Sequence, residues 1–239
     1  MNILCGGPAR ETDSKLYHLH RRCLKKQGGF VHHAVCSDPG GPKWDTDKIG
    51  RVAKVRQDYM EWAKASFDGL FMVDTDLVLG PGVLERMLEV DADVVYGVFW
   101  SRWPGFDTPM PQVWDAYPFG HSVRLVDDIK EGLEFTTSRW GFEMDSGSVR
   151  EIPVLGGGAC TLIRGTALDT AYHPLLNVLV DQSSDDIWDG EDRSFGVRLM
   201  ARDIKQVAVT GLPIVHLDSP QRSSPEALKE AEIMVGWDG

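Results

Sequence analysis

The chain has 239 residues, of which 42% are hydrophobic and 26% charged, which is the composition of an ordinary globular protein rather than a disordered one. Thirty-six acidic residues against 25 lysines and arginines give a net charge of −11. This balance disfavours a simple phosphate-backbone binder, because such a protein needs a basic surface.

The four cysteines lie far apart and form no C-x-x-C pair. We therefore expect reduced thiols in a cytoplasmic protein rather than a zinc site. There is no N-terminal signal-peptide pattern and no apolar run approaching 18 residues, so no transmembrane segment is expected.

Strand and helix patterns alternate through the first hundred residues. Short apolar runs predict strands over residues 2–5, 30–36, 69–73 and 93–100. Helical spacing of apolar residues predicts helices over residues 14–27 and 51–66, and a third that starts at Pro81. This alternation is typical of a mostly parallel sheet with helices on both faces. In such sheets, ligands bind at the carboxyl ends of the strands.

The middle of the chain, residues 101–150, is rich in proline and aromatic residues and shows no periodicity. It predicts an irregular, partly stranded insertion over the cleft rather than a separate domain. Regular patterns resume with one predicted strand over 154–163 that contains a glycine triplet. The later predictions are a helix over 191–202, strands over 204–209 and 213–217, and a helix over 225–235.

Two carboxylates, Asp74 and Asp76, follow the most apolar strand. Burying an unpaired charge costs several kcal/mol, so these acids must be solvated, paired or holding a ligand. Side chains two residues apart on a strand point the same way, about 6.6 Å apart, which is long for two ligands of one small cation. The spacing fits a different arrangement better: one carboxylate would bind Mg²⁺ or Mn²⁺, and the other would bind a ribose hydroxyl or a metal-bound water. The alternative is that both acids only cap the turn into the helix at Pro81.

Four other features could serve a site, and each has a simpler explanation. Asp192 starts a helix whose dipole favours an ionised carboxylate, as a base that deprotonates an alcohol requires, or it only caps that helix. Gly156–Gly158 would let a ligand approach the backbone, or would form a bulge. Arg56 could reach a phosphate, although an isolated arginine on a helix is usually solvated. His216, at a strand end, is by itself most simply a structural residue.

No G-x-S-x-G elbow, Walker loop or G-x-G-x-x-G is present, which argues against the usual hydrolases, NTPases and Rossmann cofactor enzymes. Taken in chain order, the features above resemble the GT-A glycosyltransferases, particularly the family 2-like enzymes that use nucleotide sugars. The resemblance covers most of residues 1–217 and is weakest over 101–150. The matching segments are Gly7–Arg10, Asp38, Arg56–Gln57, Phe71–Asp76, Gly156–Cys160, Gly190–Asp192 and Val215–Leu217.

The resemblance implies a GT-A type α/β fold with a Rossmann-like, mostly parallel central sheet, helices on both faces and an irregular insertion. Residues 1–217 would be a single catalytic domain. Within it, residues 1–100 would be the nucleotide-sugar-binding half, 101–150 the insertion over the cleft and 151–217 the acceptor-side half. Residues 218–239 would be a C-terminal tail.

The resemblance also implies roles in donor binding. Asp38 would contact the nucleobase, Arg56 the base or diphosphate, and Asp74 the ribose or the shell of the metal. The full implied donor set is Pro8, Arg10, Asp38, Arg56, Asp74, Gly157 and Gly158. Mn²⁺ or Mg²⁺ would be held by Asp76 and His216, with Asp74 nearby. The donor would be a nucleotide-diphosphate sugar, with a UDP-sugar favoured.

On the acceptor side, Asp192 would be the catalytic base, and Glu191 would orient the acceptor. This arrangement predicts that the anomeric configuration of the sugar is inverted. If Asp192 were too far from the acceptor, a retaining mechanism would become the alternative. Trp188 and Trp103 are candidates to stack on the acceptor, or they form a local hydrophobic cluster. The acceptor stays open between a glycan, a lipid-linked sugar, a protein and a modified nucleic-acid base.

Two other classes of protein are alternatives. A nucleotidyltransferase of related fold would normally have a glycine- and arginine-rich opening loop followed by a lysine, which residues 1–8 do not show. A non-catalytic protein that binds a carbohydrate or a nucleotide sugar would not need Asp76 and Asp192 together.

Overall fold

The computed structural model describes residues 1–9, 15–28, 30–31, 48–101, 110–114, 151–154, 156–172, 191–217 and 225–236. The helices in these ranges are α1 (Lys15–Lys26), α2 (Lys48–Ser66), α3 (Val83–Leu88), α4 (Glu191–Ala201) and α5 (Pro225–Val235), with a 3-10 helix over Gly165–Asp169. The strands there are β1 (Ile3–Gly6), β2 (Phe30–Val31), β3 (Gly69–Val73), β4 (Leu77–Leu79), β5 (Val94–Gly97), β6 (Trp100–Ser101), β7 (Met110–Pro111), β8 (Val113–Trp114), β9 (Glu151–Pro153), β10 (Gly156–Gly157), β11 (Cys160–Arg164), β12 (Gln206–Val209) and β13 (Ile214–His216). Within the described ranges, no helix combines the length and apolarity needed to cross a bilayer.

A seven-stranded sheet in the order β2-β1-β3-β11-β5-β12-β9 forms the centre of the molecule. β1 pairs in parallel with β2 and β3, and β5 pairs in parallel with β12. β11 lies antiparallel between β3 and β5, and β9 is antiparallel to β12. Five strands therefore point their carboxyl ends to one edge, which confirms a mixed α/β protein with a mostly parallel sheet.

Alternate residues of each strand face opposite layers of helices, because side chains in a strand point to opposite faces in turn. Ile3 and Cys5 pack into a cluster with α1, α3 and α5, whereas Leu4 packs into the cluster of α2 and α4. β3 divides in the same way, with Phe71 on the first face and Leu70 on the second. The predicted helices on both faces of the sheet are confirmed.

The C-terminal helix α5 is part of the first of these layers. Ala231 and Val235 are fully buried in the same cluster as α1. Arg22 Nε and Lys26 Nζ of α1 donate to the carbonyl of Val235 at 3.2 and 2.6 Å. Cationic side chains thus satisfy carbonyl groups that the end of α5 leaves unpaired.

Three cysteines, Cys5, Cys23 and Cys160, are buried free thiols. Burial raises the pKa of Cys5 and, against weaker backbone hydrogen bonds, that of Cys23, to about 12 in each case. These thiols are therefore protonated packing groups, as expected for reduced buried cysteines. Cys36 lies outside the described residues.

The predicted single strand over 154–163 is wrong. The chain there forms two strands, β10 and β11, and β10 leaves the central sheet to pair with β8 through Gly156–Trp114 and Gly157–Val113. Ala159, with a φ of 62°, turns the chain back into the sheet. Helix α3 begins at Val83 and not at the predicted Pro81, because Gly82 has a φ of 77°, which is not a helical conformation.

Candidate active site

The two predicted carboxylates lie in a turn and not on a strand. β3 ends at Val73, and the N–H of Leu77 donates to the carbonyl of Asp74 at 3.1 Å before β4 begins. The expected extended spacing of Asp74 and Asp76 is therefore wrong. They do not cap α3 either, since β4 intervenes and that helix has no side-chain cap.

The turn is held by main-chain hydrogen bonds to two distant segments. Asp74 N–H donates to the carbonyl of Ala159 at 2.8 Å, and Leu217 N–H donates to the carbonyl of Asp76 at 2.6 Å. β13 pairs antiparallel with β4, so His216 lies opposite Leu77. These contacts bring His216 Nε2 within 3.4 Å of Asp76 Oδ2. The two residues predicted to bind a metal, Asp76 and His216, are therefore neighbours in the structure.

Arg56 of α2 is the centre of a buried charge cluster. The residue is 2% exposed. Its Nη2 donates to both carboxylate oxygens of Asp74, at 3.0 and 2.9 Å. Its Nη1 donates to Asp192 Oδ1 and lies 3.6 Å from Glu191 Oε1. The interpretation of Arg56 as a solvated helix residue is therefore wrong, because three carboxylates enclose its guanidinium group.

Gly158 packs directly on Asp192. A Cβ at position 158 would overlap the carboxylate of Asp192, and one at Gly157 would lie 2.8 Å from the ring of Tyr96. The glycine pair was predicted to admit a ligand close to the backbone. In this structure the groups that approach it are an aspartate and a tyrosine.

The cluster holds three carboxylates against one guanidinium. Burial raises the pKa of Asp74 to about 6; Arg56 opposes the shift, while Asp76 and Glu191 add to it. Burial likewise raises the pKa of Asp192 well above its usual range, with Arg56 opposing and Glu191 and Asp74 reinforcing. The prediction of an ionised Asp192 was based on the helix dipole alone, whereas burial and the neighbouring carboxylates act in the opposite direction.

Asp76 differs from the other acids because its side chain is 47% exposed. Partial burial works against its ionisation, but the hydrogen bond and the charge of His216 outweigh this and lower the pKa of Asp76. Its Oδ1 is shielded from solvent and has no hydrogen-bond partner among the described residues. In that part of the chain, no three His, Cys, Asp or Glu side chains are grouped so that they could hold a metal.

The structure thus brings together five of the predicted site residues: Arg56, Asp74, Gly158, Glu191 and Asp192. A second group, Asp76 with His216, lies in and beside the same turn. Gly157 adjoins Gly158. Pro8 comes two residues after β1, next to Gly7, where a Cβ would overlap the carbonyl oxygen of Val73. The predicted residues Arg10, Asp38, Trp103 and Trp188 lie outside the described residues.

Tyr172 and Gln57 support the cluster, and their contribution was not predicted. Gln57 Oε1 accepts a hydrogen bond from the backbone N–H of Tyr172 at 2.7 Å. The Tyr172 ring stacks on Phe195 of α4 with centroids 4.1 Å apart, and the guanidinium carbon of Arg56 lies 5.6 Å from its ring centroid. No local sequence pattern indicates a role for Tyr172. Gln57 could have been found from the sequence, because it follows Arg56 on α2.

Comparison with known proteins gives a weak structural similarity. No protein-family model matches the chain, and no curated protein does. Among solved structures, the chain is similar to the "crystal structure of a glycosyltransferase involved in the glycosylation of the major capsid of PBCV-1". That similarity has a TM-score of 0.49 and 9% identity over 98% of this chain and 99% of the other. At this level the similarity carries no conclusion about fold or activity.

Proposed function

We propose that this protein is a metal-dependent glycosyltransferase that moves a sugar from a nucleotide-diphosphate sugar to an acceptor hydroxyl. The observation that carries the proposal is the convergence of the turn that contains Asp74 and Asp76 with Arg56, Gly158 and the Glu191–Asp192 pair. Arg56 and Asp192 are 136 residues apart in the chain and are hydrogen-bonded in the structure. Most of the segments that resemble GT-A glycosyltransferases therefore lie close together in the fold.

The position of this cluster in the fold supports a ligand site. Asp74 follows β3 at the edge to which the five parallel strands point their carboxyl ends. Ligands of open α/β sheets bind outside that edge. The two groups of acids also differ, since Asp76 is half-exposed and Asp74 is turned toward Arg56.

Asp76 and His216 are suited to hold Mn²⁺ or Mg²⁺. A carboxylate oxygen is a preferred ligand of Mg²⁺ and Mn²⁺, and the shielded Oδ1 of Asp76 has no partner in the described part of the chain. The imidazole of His216 lies beside this carboxylate and is proposed as the second ligand. Such ions commonly take one or two protein carboxylates and complete their shell with water and phosphate oxygens. When bound, the ion would supply positive charge that stabilises the departing nucleoside diphosphate.

Asp192 is proposed as the base. It would accept the proton of the acceptor hydroxyl while that oxygen bonds to the anomeric carbon, on the face opposite the breaking bond to the diphosphate. This geometry gives inversion. Burial raises the pKa of Asp192, which makes its carboxylate a stronger base, and a general base is most effective when its pKa is near the working pH. Arg56 acts in the other direction and favours the ionised form, which is the form that can accept a proton.

The remaining assignments follow the resemblance. Asp74 is proposed to contact the ribose, Glu191 to orient the acceptor, and Gly157 to lie beside the donor. A UDP-sugar is the favoured donor, and the acceptor is a hydroxyl of a class still to be identified.

Thermal unfolding with a panel of nucleotide sugars tests the proposal, with Mn²⁺, Mg²⁺ or EDTA present. A ligand at 100 times its Kd stabilises the folded state by about 2.7 kcal/mol. We expect one nucleotide sugar to raise the Tm only with metal, and Asp76→Ala to abolish that rise. Asp58→Ala is the matched control, since Asp58 is an exposed acid of α2 that pairs with Lys54. If no nucleotide sugar shifts the Tm, the proposed function is wrong.

Asp192→Asn distinguishes a transferase from a binding protein. The variant should still show the donor-induced rise in Tm, because Asp192 is not assigned to the donor. It should lose release of the nucleoside diphosphate, because Asn cannot accept the acceptor proton. Unchanged release would remove Asp192 as the base, and binding without any turnover by the wild type would favour a non-catalytic protein.

A further inference from the structure

We propose that Arg56 and Gly158 are positioning residues that hold the Asp192 carboxylate between them, and that neither contacts the donor. This inference rests on the proposed function, in which Asp192 is the base. It changes the role that the resemblance implies for both residues, from donor contact to alignment of the base.

The burial and the hydrogen bonds of Arg56 are the first support. The side chain of Arg56 is 3% exposed, and both terminal nitrogens of its guanidinium group contact carboxylates. Nη2 is held by both oxygens of Asp74, and Nη1 is directed to Asp192 and Glu191. A diphosphate or a nucleobase could reach these nitrogens only by displacing a carboxylate. The planar guanidinium instead fixes the direction of the carboxylates it bonds.

The second support is the contact between Gly158 and Asp192. A Cβ at position 158 would overlap Oδ2 of Asp192, the oxygen that is not bonded to Arg56. Arg56 thus holds one oxygen of the carboxylate, and the bare backbone of Gly158 lies against the other. Any side chain at position 158 must push the carboxylate away from this arrangement.

The helix that carries Asp192 is itself anchored, so the effect of these contacts is local. Tyr172 stacks on Phe195, and Arg198 donates to the carbonyl of Ala171 at 3.1 Å. Gln57, the neighbour of Arg56 on α2, accepts the N–H of Tyr172. With the register of α4 held by these contacts, Arg56 and Gly158 determine the orientation of the Asp192 side chain rather than the position of the helix.

The variants Arg56→Lys and Gly158→Ala test the inference. Lysine keeps the positive charge but cannot bond Asp74 and Asp192 in the same fixed geometry, and alanine displaces Oδ2. A displacement of about 1 Å in an aligned group can lower the rate about 100-fold. We expect each variant to lower kcat by about 10- to 100-fold. The donor KM should change less than about threefold, since neither residue contacts the donor.

Two matched controls lie at the opposite end of the sheet. Arg164 donates to the carbonyls of Leu88, Val90 and Ala92 and contacts no carboxylate of the site. Gly69, which pairs with Arg164, would place a Cβ 3.0 Å from the carbonyl oxygen of Ile163. Arg164→Lys and Gly69→Ala therefore impose similar losses of hydrogen bonds and packing away from Asp192. We expect both to keep kcat within twofold of the wild type.

The assay measures nucleoside diphosphate release from UDP-glucose, UDP-galactose, UDP-N-acetylglucosamine and GDP-mannose with Mn²⁺ and water as the acceptor. A second readout is the ¹³C carboxyl signal of Asp192, assigned by its loss in Asp192→Asn. That signal should shift in Arg56→Lys and in Gly158→Ala, and should stay in place in both controls.

The outcomes separate the inference from the proposed function. An increase in donor KM at constant kcat would make Arg56 a donor-binding residue and overturn the inference. Unchanged kcat in both variants would do the same. If the wild type turns over none of these donors and binds none of them, the proposed function fails. The Asp192 signal alone then decides the inference, which is overturned if the signal moves in neither variant.

Discussion

Replacing Arg56 by methionine should destabilise the protein strongly, because it leaves three carboxylates without their cation. Removing one partner of a buried ion pair costs about 3–5 kcal/mol. The side chains of Asp74, Glu191 and Asp192 keep 26%, 12% and 27% exposure, so water offsets part of the loss. We expect the lower end of that range, about 3 kcal/mol. For a chain of this size, that is a decrease in Tm of about 6–12 °C.

Urea unfolding and calorimetry at pH 7 measure this loss. Lys54→Met is the matched control, since Lys54 is an exposed cation of the same helix and pairs with Asp58, so no measurable change is expected. Neutralising two acids in the triple variant Arg56→Met, Asp74→Asn and Asp192→Asn should recover at least about half of the loss, because no unpaired charge then remains at those positions. A loss below about 1 kcal/mol for Arg56→Met would refute the central role of this charge cluster. So would a triple variant no more stable than the single one.

Three further predictions concern other parts of the fold. Gly7→Ala should lower the free energy of unfolding, measured by urea denaturation, by about 2–3 kcal/mol, because the alanine Cβ would overlap the carbonyl oxygen of Val73. An unchanged free energy would contradict this close contact between the two backbone segments. Burial lowers the pKa of His20 to about 4, below its unfolded value of 6.5, so its contribution to stability is complete above pH 6.5 and is lost as the pH falls toward 4. His20→Gln should remove up to about 3 kcal/mol of that pH dependence, and parallel pH profiles of both proteins would show the reasoning to be wrong. Deleting residues 218–239 should cost about 2 kcal/mol or more, measured by calorimetry, because Val235 is fully buried against the core; an unchanged Tm would make the helix dispensable.

The periodicity of apolar residues was enough to predict much of the fold. β3 and α5 have the predicted bounds, Gly69–Val73 and Pro225–Val235. α1 is one residue shorter than predicted at each end, and α4 is one residue shorter at its C-terminal end. These elements are predictable because each buries one face or both faces, and the spacing of buried side chains follows directly from strand or helix geometry. The mostly parallel sheet followed from the alternation of the two patterns.

The identity of most candidate site residues was also predictable, because acids after a buried strand and at the start of a helix stand out in the sequence. Their arrangement was not. The turn at Asp74 and Asp76 depends on hydrogen bonds from Asp74 to Ala159 and from Leu217 to Asp76. The division of 154–163 into two strands depends on the pairing of Gly157 with Val113. Neither pairing leaves a trace in local spacing.

Arg56 illustrates the difference most clearly. By itself, an arginine on a helix is expected in water, since burying its charge alone would cost several kcal/mol. The sequence determined that carboxylates stand at the end of a strand and at the start of a helix, and that glycines precede β11. Only the tertiary structure decided that Asp74 and Asp192 both contact the guanidinium group of Arg56. It also decided that the Asp192 carboxylate packs against Gly158, where a side chain would overlap it. The physical reason is that the energy of a buried charge depends on partners far along the chain, whereas sequence periodicity reports only near neighbours.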